Sequence, residues 1–193
     1  SMNTIKLFGS FGEALRYSFF MVASTITSAG FGTTDTSQFP VFSQTLLILL
    51  MFVGSCAGST GGGIKVSRIL ILFKTGVKEL KYIVNPRAVA TVKIDGKPVE
   101  NDVVRGVSSY FILFMLIFCI SLLLITLDNY SMEESASAVV TCMNNIGFGM
   151  GRFGTAGSFG GLNAFSKIVL SFDMLIGRLE IYPLIMLFSI KKH

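Results

Sequence analysis

Long apolar runs alternate along the chain with short stretches rich in glycine and hydroxyl residues. Residues 107–127, VSSYFILFMLIFCISLLLITL, carry no charge. They match the length of about 20 apolar residues that a helix needs to cross a bilayer. Residues 11–27 are apolar but contain Glu13 and Arg16, which predicts a short helix entering a membrane part-way rather than a span. A strong apolar helix is predicted from residue 41 to about 57. The stretch GSTGGGIK, residues 58–65, interrupts it, and an apolar helical pattern resumes over 64–83. Asn85-Pro86 then ends the helix, because proline lacks an amide donor and disfavours helix in the residue before it.

Residues 91–102, TVKIDGKPVEND, read as a polar hairpin turning at Asp95-Gly96, with Asn101 or Asp102 as cap of the next helix. The second half follows the plan of the first. Ser131 followed three residues later by Glu134 predicts a capping box and a short helix ending near Asn144. A Gly-rich extended stretch follows, and then a long apolar helix over 164–190 containing Asp173, Arg178 and Glu180. The order of short helix, Gly-Phe-Gly segment, loop and long helix thus occurs twice, with Gly30 and Gly147 117 residues apart. The first copy lacks the outer span that precedes the second. Residues 1–10 show no charged region leading into a cleavable apolar core, and the leading Ser-Met reads as an expression remnant. The chain is therefore expected to be a piece of a longer protein.

Composition fits the pattern. The 193 residues are 51% hydrophobic and 14% charged, where a soluble domain carries about a quarter charged residues. Of sixteen Lys and Arg, nine lie between residues 65 and 105. By the positive-inside rule this link is cytoplasmic, a simpler reading than nucleic-acid binding. Cys56, Cys119 and Cys142 have no metal-ligand spacing and read as buried free thiols.

The fold class expected is an all-α polytopic membrane protein. Its repeats run span, re-entrant pore helix, Gly-rich filter, span, in the manner of a potassium channel. Irregular backbone is tolerated at membrane depth only where it lines a water-filled cavity or is buried in protein. Gly-rich backbone can aim successive carbonyls at one axis and so replace the hydration shell of a cation, while the preceding helix points its negative end the same way. The side chains of Ser28, Phe31, Asn145 and Phe148 are expected to hold these loops against their surroundings. Three consecutive glycines in 61–63 should unwind a helix, since each costs about 1 kcal/mol relative to Ala, and such breaks mark ion sites or moving parts. The alternative is close helix packing through the GxxxG match at 54–58. GMGRFG at 149–154 and GSTGGGIK lack the strand that a nucleotide loop requires. Asp173 and Arg178 face either a cavity or a partner, or lie where the helix emerges into water.

The motifs TSAGFGTTD, GSCAGSTGGGIKVSR and LIGRLEIYPL, in this order, resemble the Trk/Ktr/HKT superfamily of potassium transporters, in particular the C-terminal portion of membrane subunits of the bacterial TrkH and KtrB type. The resemblance covers nearly the whole chain. It implies four pore repeats around one pore, with residues 1–83 an incomplete third repeat, 84–104 a cytoplasmic basic link and 105–193 the fourth repeat. Two filter strands would then be Ser28, Ala29, Gly30, Phe31, Gly32 and Asn145, Ile146, Gly147, Phe148, Gly149. Gly30 and Gly147 would be the family's filter glycines, favouring potassium, where a Ser in plant relatives goes with sodium preference. Gly58, Gly61, Gly62, Gly63 and Lys65 would belong to an intramembrane gate loop, with Arg178 beside it. Many members carry Pro in place of Phe148, a departure in the fourth filter.

The resemblance further implies the ion-conducting subunit of a potassium uptake system in the inner (plasma) membrane. Potassium would be its transported ligand, with no organic cofactor and no nucleic acid. Its partners would be the lipid bilayer, the two remaining repeats, a cytosolic nucleotide-binding ring of the TrkA/KtrA type and a second copy in a homodimer. The alternative is a substrate-binding secondary transporter with broken helices, which calls for inverted repeats. An enzyme is not expected: His193 is terminal, and no nucleophile-base pair or metal set is spaced for intramembrane hydrolysis.

Overall fold

In the computed structural model, residues 8–54, 56, 58–59, 61–85, 91–94 and 97–179 are described. Among these described residues, six α-helices and two minimal sheets follow in the order α1 (Phe11–Ile26), α2 (Val41–Phe52), β1 (Val53–Gly54), β2 (Ile64–Lys65), α3 (Val66–Val84), β3 (Lys93–Ile94), β4 (Lys97–Pro98), α4 (Asn101–Ile125), α5 (Met132–Met143) and α6 (Ala164–Leu179). With its following 3-10 turn, α4 is long and apolar enough to cross a membrane, the one such helix among the described residues.

The capping box forms as the sequence requires. Ser131 Oγ accepts from the Glu134 amide at 3.2 Å, and the Ser131 amide donates to Glu134 Oε2 at 3.3 Å. Such a cap is worth about 1 kcal/mol and fixes where the 12-residue α5 begins. α5 is the central element, packed on α4, α6 and α2. Ala138, Val139, Cys142 and Met143 join Tyr110 and Phe114 of α4 and Leu170 of α6 in one core. Val140 turns the other way, into a second core with Met21, Leu47, Met51, Ile146 and Phe148. α5 therefore forms a wall common to both cores.

Several boundaries differ from expectation. α2 ends at Phe52, five residues earlier than predicted. Val53 and Gly54 leave the helix to pair in parallel with Ile64 and Lys65, which also delays α3 to Val66. The GxxxG match at 54–58 is consequently not a helical motif: Gly54 is in β1 and Gly58 is a turn residue at φ +87°. The polar hairpin pairs β3 with β4 antiparallel, while Asp95 and Gly96 lie outside the described residues. The cap residue of α4 is Glu100, without a side-chain bond, and Asn101 and Asp102 sit in its first turn. Cys142 is buried, but Cys56 and Cys119 are exposed. The α6 expectation beyond Leu179, Glu180 included, lies outside the described residues.

Candidate functional site

The backbone of the two Gly-Phe-Gly segments follows one plan. After α1, Ser28 and Gly30 take φ values of +55° and +75°; after α5, Asn145 and Gly147 take +53° and +108°. Each pair is separated by one residue of ordinary conformation. The bonds that shape the turn off each helix also correspond. The Ser28 amide donates to Thr25 O and the Ala29 amide to Ser24 O, at 3.2 and 3.0 Å; the Asn145 amide donates to Cys142 O and the Ile146 amide to Thr141 O, at 3.2 and 3.0 Å. All of these matched positions are 117 residues apart. Gly30 and Gly147 take left-handed backbone at no steric cost, whereas Ser28 and Asn145 hold it against one.

Two hydroxyls that sequence reading missed brace the segments. Ser24 Oγ donates to Phe31 O at 2.6 Å, and Thr141 Oγ1 accepts from the Gly147 amide at 3.1 Å. Ser24 and Thr141 are again 117 residues apart, a signal that aligning the two repeats would have exposed. Further along, the Met150 amide donates to Ser137 Oγ at 2.9 Å. Thr155 ties the loops after the two segments together. Its Oγ1 donates to Thr34 O at 2.7 Å and accepts from the Thr36 amide at 3.3 Å.

The segments touch at their glycines. A Cβ added to Gly30 would overlap the Ile146 carbonyl oxygen, and one added to Gly147 would stand 3.9 Å from the Gly30 Cα. A Cβ on Gly32 would overlap the Thr155 side chain. Ala29 is exposed, and Ile146 and Gly149 are buried. The two phenylalanines part company: Phe148 is 3% exposed, Phe31 71%. Phe148 holds its loop in the core as expected, whereas Phe31 is left exposed by the described residues. The side chain of Asn145 does anchor its segment, its Nδ2 donating to Met174 O of α6 at 3.2 Å.

Below the second segment lies the interrupted helix. Gly61 and Gly62 are irregular, and Gly63 takes φ +81°. A Cβ on Gly62 would come within 3.0 Å of Asn144 O, and one on Gly63 would overlap Asn144 Oδ1. Asn144 is fully buried; its Nδ2 donates to Val140 O at 2.9 Å, and its Oδ1 has no hydrogen-bond partner. α6 packs tightly on the same spot, where a Cβ on Gly177 would overlap Met143 O. The end of α5, the glycine loop and α6 thus converge. Lys65 lies at the far end of the loop in β2, and Arg178 is an exposed residue following Gly177. Gly58 has open space around it. Asp173, also on α6, is buried and accepts from Ser121 Oγ of α4 at 2.7 Å.

At the start of α5, Glu134 serves both its cap and the returning loop, accepting from the Arg152 amide at 3.1 Å. Burial pushes its carboxyl up. The hydrogen bonds from Arg152 and Ser131, with the Arg152 charge, outweigh that and leave it below the ordinary glutamate value.

Two short helices ending in matched left-handed segments, beside an interrupted helix and one apolar helix long enough to span, mark a helical membrane protein. The chain belongs to the TrkH family of cation transport proteins, whose model matches residues 7–193. It is 38% identical over 184 residues to the Trk system potassium uptake protein TrkH of Salmonella typhimurium, covering 95% of this chain and 38% of that one. It is 42% identical over 173 residues to TrkG of Escherichia coli, covering 90% and 35%. The crystal structure of the potassium transporter TrkH from Vibrio parahaemolyticus superposes with a TM-score of 0.87 at 39% identity, over 96% of this chain and 40% of that one. The chain therefore spans about two fifths of the length of these relatives.

Proposed function

We propose that this chain supplies two of four pore repeats in the ion-conducting subunit of a potassium uptake system. Residues 28–32 and 145–149 are two of its four filter strands, and their carbonyls coordinate dehydrated potassium. The observation that carries this reading is the recurrence of one backbone plan, left-handed at Ser28 and Gly30 and again at Asn145 and Gly147, on the same hydrogen bonds. A packing loop would need no such recurrence. Residues 1–83 and 105–193 are the two repeats, joined by the cytoplasmic link 84–104, and the subunit lies in the inner membrane. The first and second repeats come from the part of the protein outside this chain, and their helices cover Phe31 and the exposed apolar faces of α2, α4 and α6.

Gly58, Gly61, Gly62, Gly63 and Lys65 form the gate loop, and Arg178 stands beside it. The convergence of Gly62 and Gly63 on Asn144 supports this, because it puts the loop under the end of α5, in line with the filter segment that follows it. A cytosolic nucleotide-binding ring docks on the link side, and two copies associate. Relatives named for potassium uptake support the choice of ion. The test is rubidium uptake into vesicles carrying the complete transporter, with sodium as competitor. Flux that persists without a driving co-ion and discriminates against sodium is expected. Strict dependence on a co-ion gradient, with one substrate moved per cycle, would instead identify a secondary transporter.

A further inference from the structure

The described end of α3 carries a feature that conduction does not use. A cavity of about 380 Å³ opens between α3 and the segment leading into β3, lined by Lys74, Lys78, Lys81 and Lys93 and, among the described residues, by no acidic one. Lys74 Nζ donates to Lys93 O at 2.7 Å, which holds the hairpin against the helix and keeps the cavity open. Its remaining lining is Thr91 and the apolar Leu70, Phe73, Val77 and Val92. Lysines at 74, 78 and 81 follow helical spacing and share a face. Immediately beside them Phe73, Leu80 and Val84 are 71%, 64% and 85% exposed. Lysine heads and bare apolar side chains thus run side by side along the last turns of an apolar helix.

That pairing selects the occupant. An acidic protein segment would satisfy the ammonium groups but leave Phe73, Leu80 and Val84 in water. A phosphodiester offers acceptors to several ammonium donors at once, and its acyl chains cover the apolar row. Basic clusters where a span meets the cytoplasm are attracted to anionic leaflets in this way. We propose that this cavity holds the phosphate of an anionic phospholipid of the inner leaflet, with its acyl chains along Phe73, Val77 and Leu80. The choice of leaflet rests on the cytoplasmic placement of residues 84–104 proposed above; the chemistry of the site does not.

Native mass spectrometry of the complete transporter in detergent, titrated with phosphatidylglycerol, tests the site. The triple variant K78Q/K81Q/K93Q leaves Lys74 to hold the hairpin. Attraction of about fivefold in affinity per lysine predicts retention weakened roughly 100-fold in the variant, restored in K78R/K81R/K93R, with phosphatidylcholine held by neither. Equal retention of phosphatidylglycerol by wild type and the glutamine variant would overturn the proposal. So would displacement of the lipid by inorganic phosphate at matched concentration, which would make the site one for free anions. Loss of poly-glutamate binding in the variant with lipid retention unchanged would overturn it too, and would give the cavity to an acidic protein segment. Retention in detergent depends neither on conduction nor on sidedness, so this result and that of the uptake assay stand or fall separately.

Discussion

The α-carbon of Gly30 lies against the backbone carbonyl of Ile146, so close that a Cβ on Gly30 would overlap the oxygen and stand 3.1 Å from the carbonyl carbon. Gly147, its counterpart, has no comparable neighbour; its Cβ would meet only the Gly30 Cα, at 3.9 Å. The two glycines share a left-handed backbone but differ in room. Gly147→Ala therefore carries backbone strain alone, about 1–2 kcal/mol. Gly30→Ala and Gly30→Ser carry that strain and also push the second segment aside. In the complete transporter, Gly30→Ser is expected to lower the potassium-to-sodium permeability ratio at least about tenfold, and Gly147→Ala less. Bi-ionic potentials at normal expression measure this; an unchanged ratio in Gly30→Ser would remove Gly30 from the filter.

Ser24 and Thr141 make a sharper pair, because neither side chain meets an ion in this reading. Ser24→Ala frees Phe31 O, and Thr141→Val frees the Gly147 amide. Each lost bond is worth about 1 kcal/mol, enough to loosen a segment without unfolding α1 or α5. The expected result is a potassium-to-sodium ratio about fivefold lower in either variant, with wild-type behaviour in Thr141→Ser, which keeps the hydroxyl. A Thr141→Ser ratio as poor as that of Thr141→Val would show that the methyl packing of Thr141, not its hydrogen bond, supports the segment.

These residues also mark how far the sequence could be read. The capping box at Ser131 and Glu134 was legible because its bonds span three residues. The Gly-Phe-Gly repeat was legible as a pattern, and its backbone recurrence follows from it. The end of α2 was not, because Val53 leaves the helix to pair with Ile64, eleven positions on, and local propensity carries no term for that partner. Neither was the contrast between Phe31 and Phe148: identical tripeptides differ in burial because one borders a core made by α2 and α5 and the other does not. The exposure of Cys56 and Cys119 escaped for the same reason, since an apolar run does not say which face of it will be covered.

Sidedness can be tested with single cysteines on a background cleared of Cys56, Cys119 and Cys142. Thr36 follows the first Gly-Phe-Gly segment but is fully buried, so Thr33, exposed in the same loop, is the better site; Glu100, also exposed, reports on the link. An impermeant maleimide added outside intact cells should label Thr33→Cys and spare Glu100→Cys until the membrane is opened. Labelling of both from one side would break the repeat assignment, since α4 must separate the link from the outer face.

The gate makes the most demanding prediction, because two accounts of the same glycines give opposite signs. Gly63 sits at φ +81° with the Asn144 amide oxygen where its Cβ would be. Gly63→Ala must therefore move the loop off the end of α5, and backbone strain alone disfavours the seated position by about 1–2 kcal/mol. If the seated loop blocks the path, the open population rises about five- to thirtyfold, since 1.4 kcal/mol is a factor of ten. Deleting residues 61–63 should raise potassium flux further. Arg178→Ala acts in the same direction if its guanidinium, which offers five donors and a fixed positive charge, both steadies the loop and repels cations. If the glycines serve only to let α5 approach the loop, each change loosens packing around the buried Asn144, and flux falls with stability. Rubidium uptake normalised to inserted protein, read beside thermal stability in detergent, separates the two. Higher flux at lowered stability is the signature of a gate, and lower flux in all three variants at normal insertion would leave residues 61–63 as packing residues.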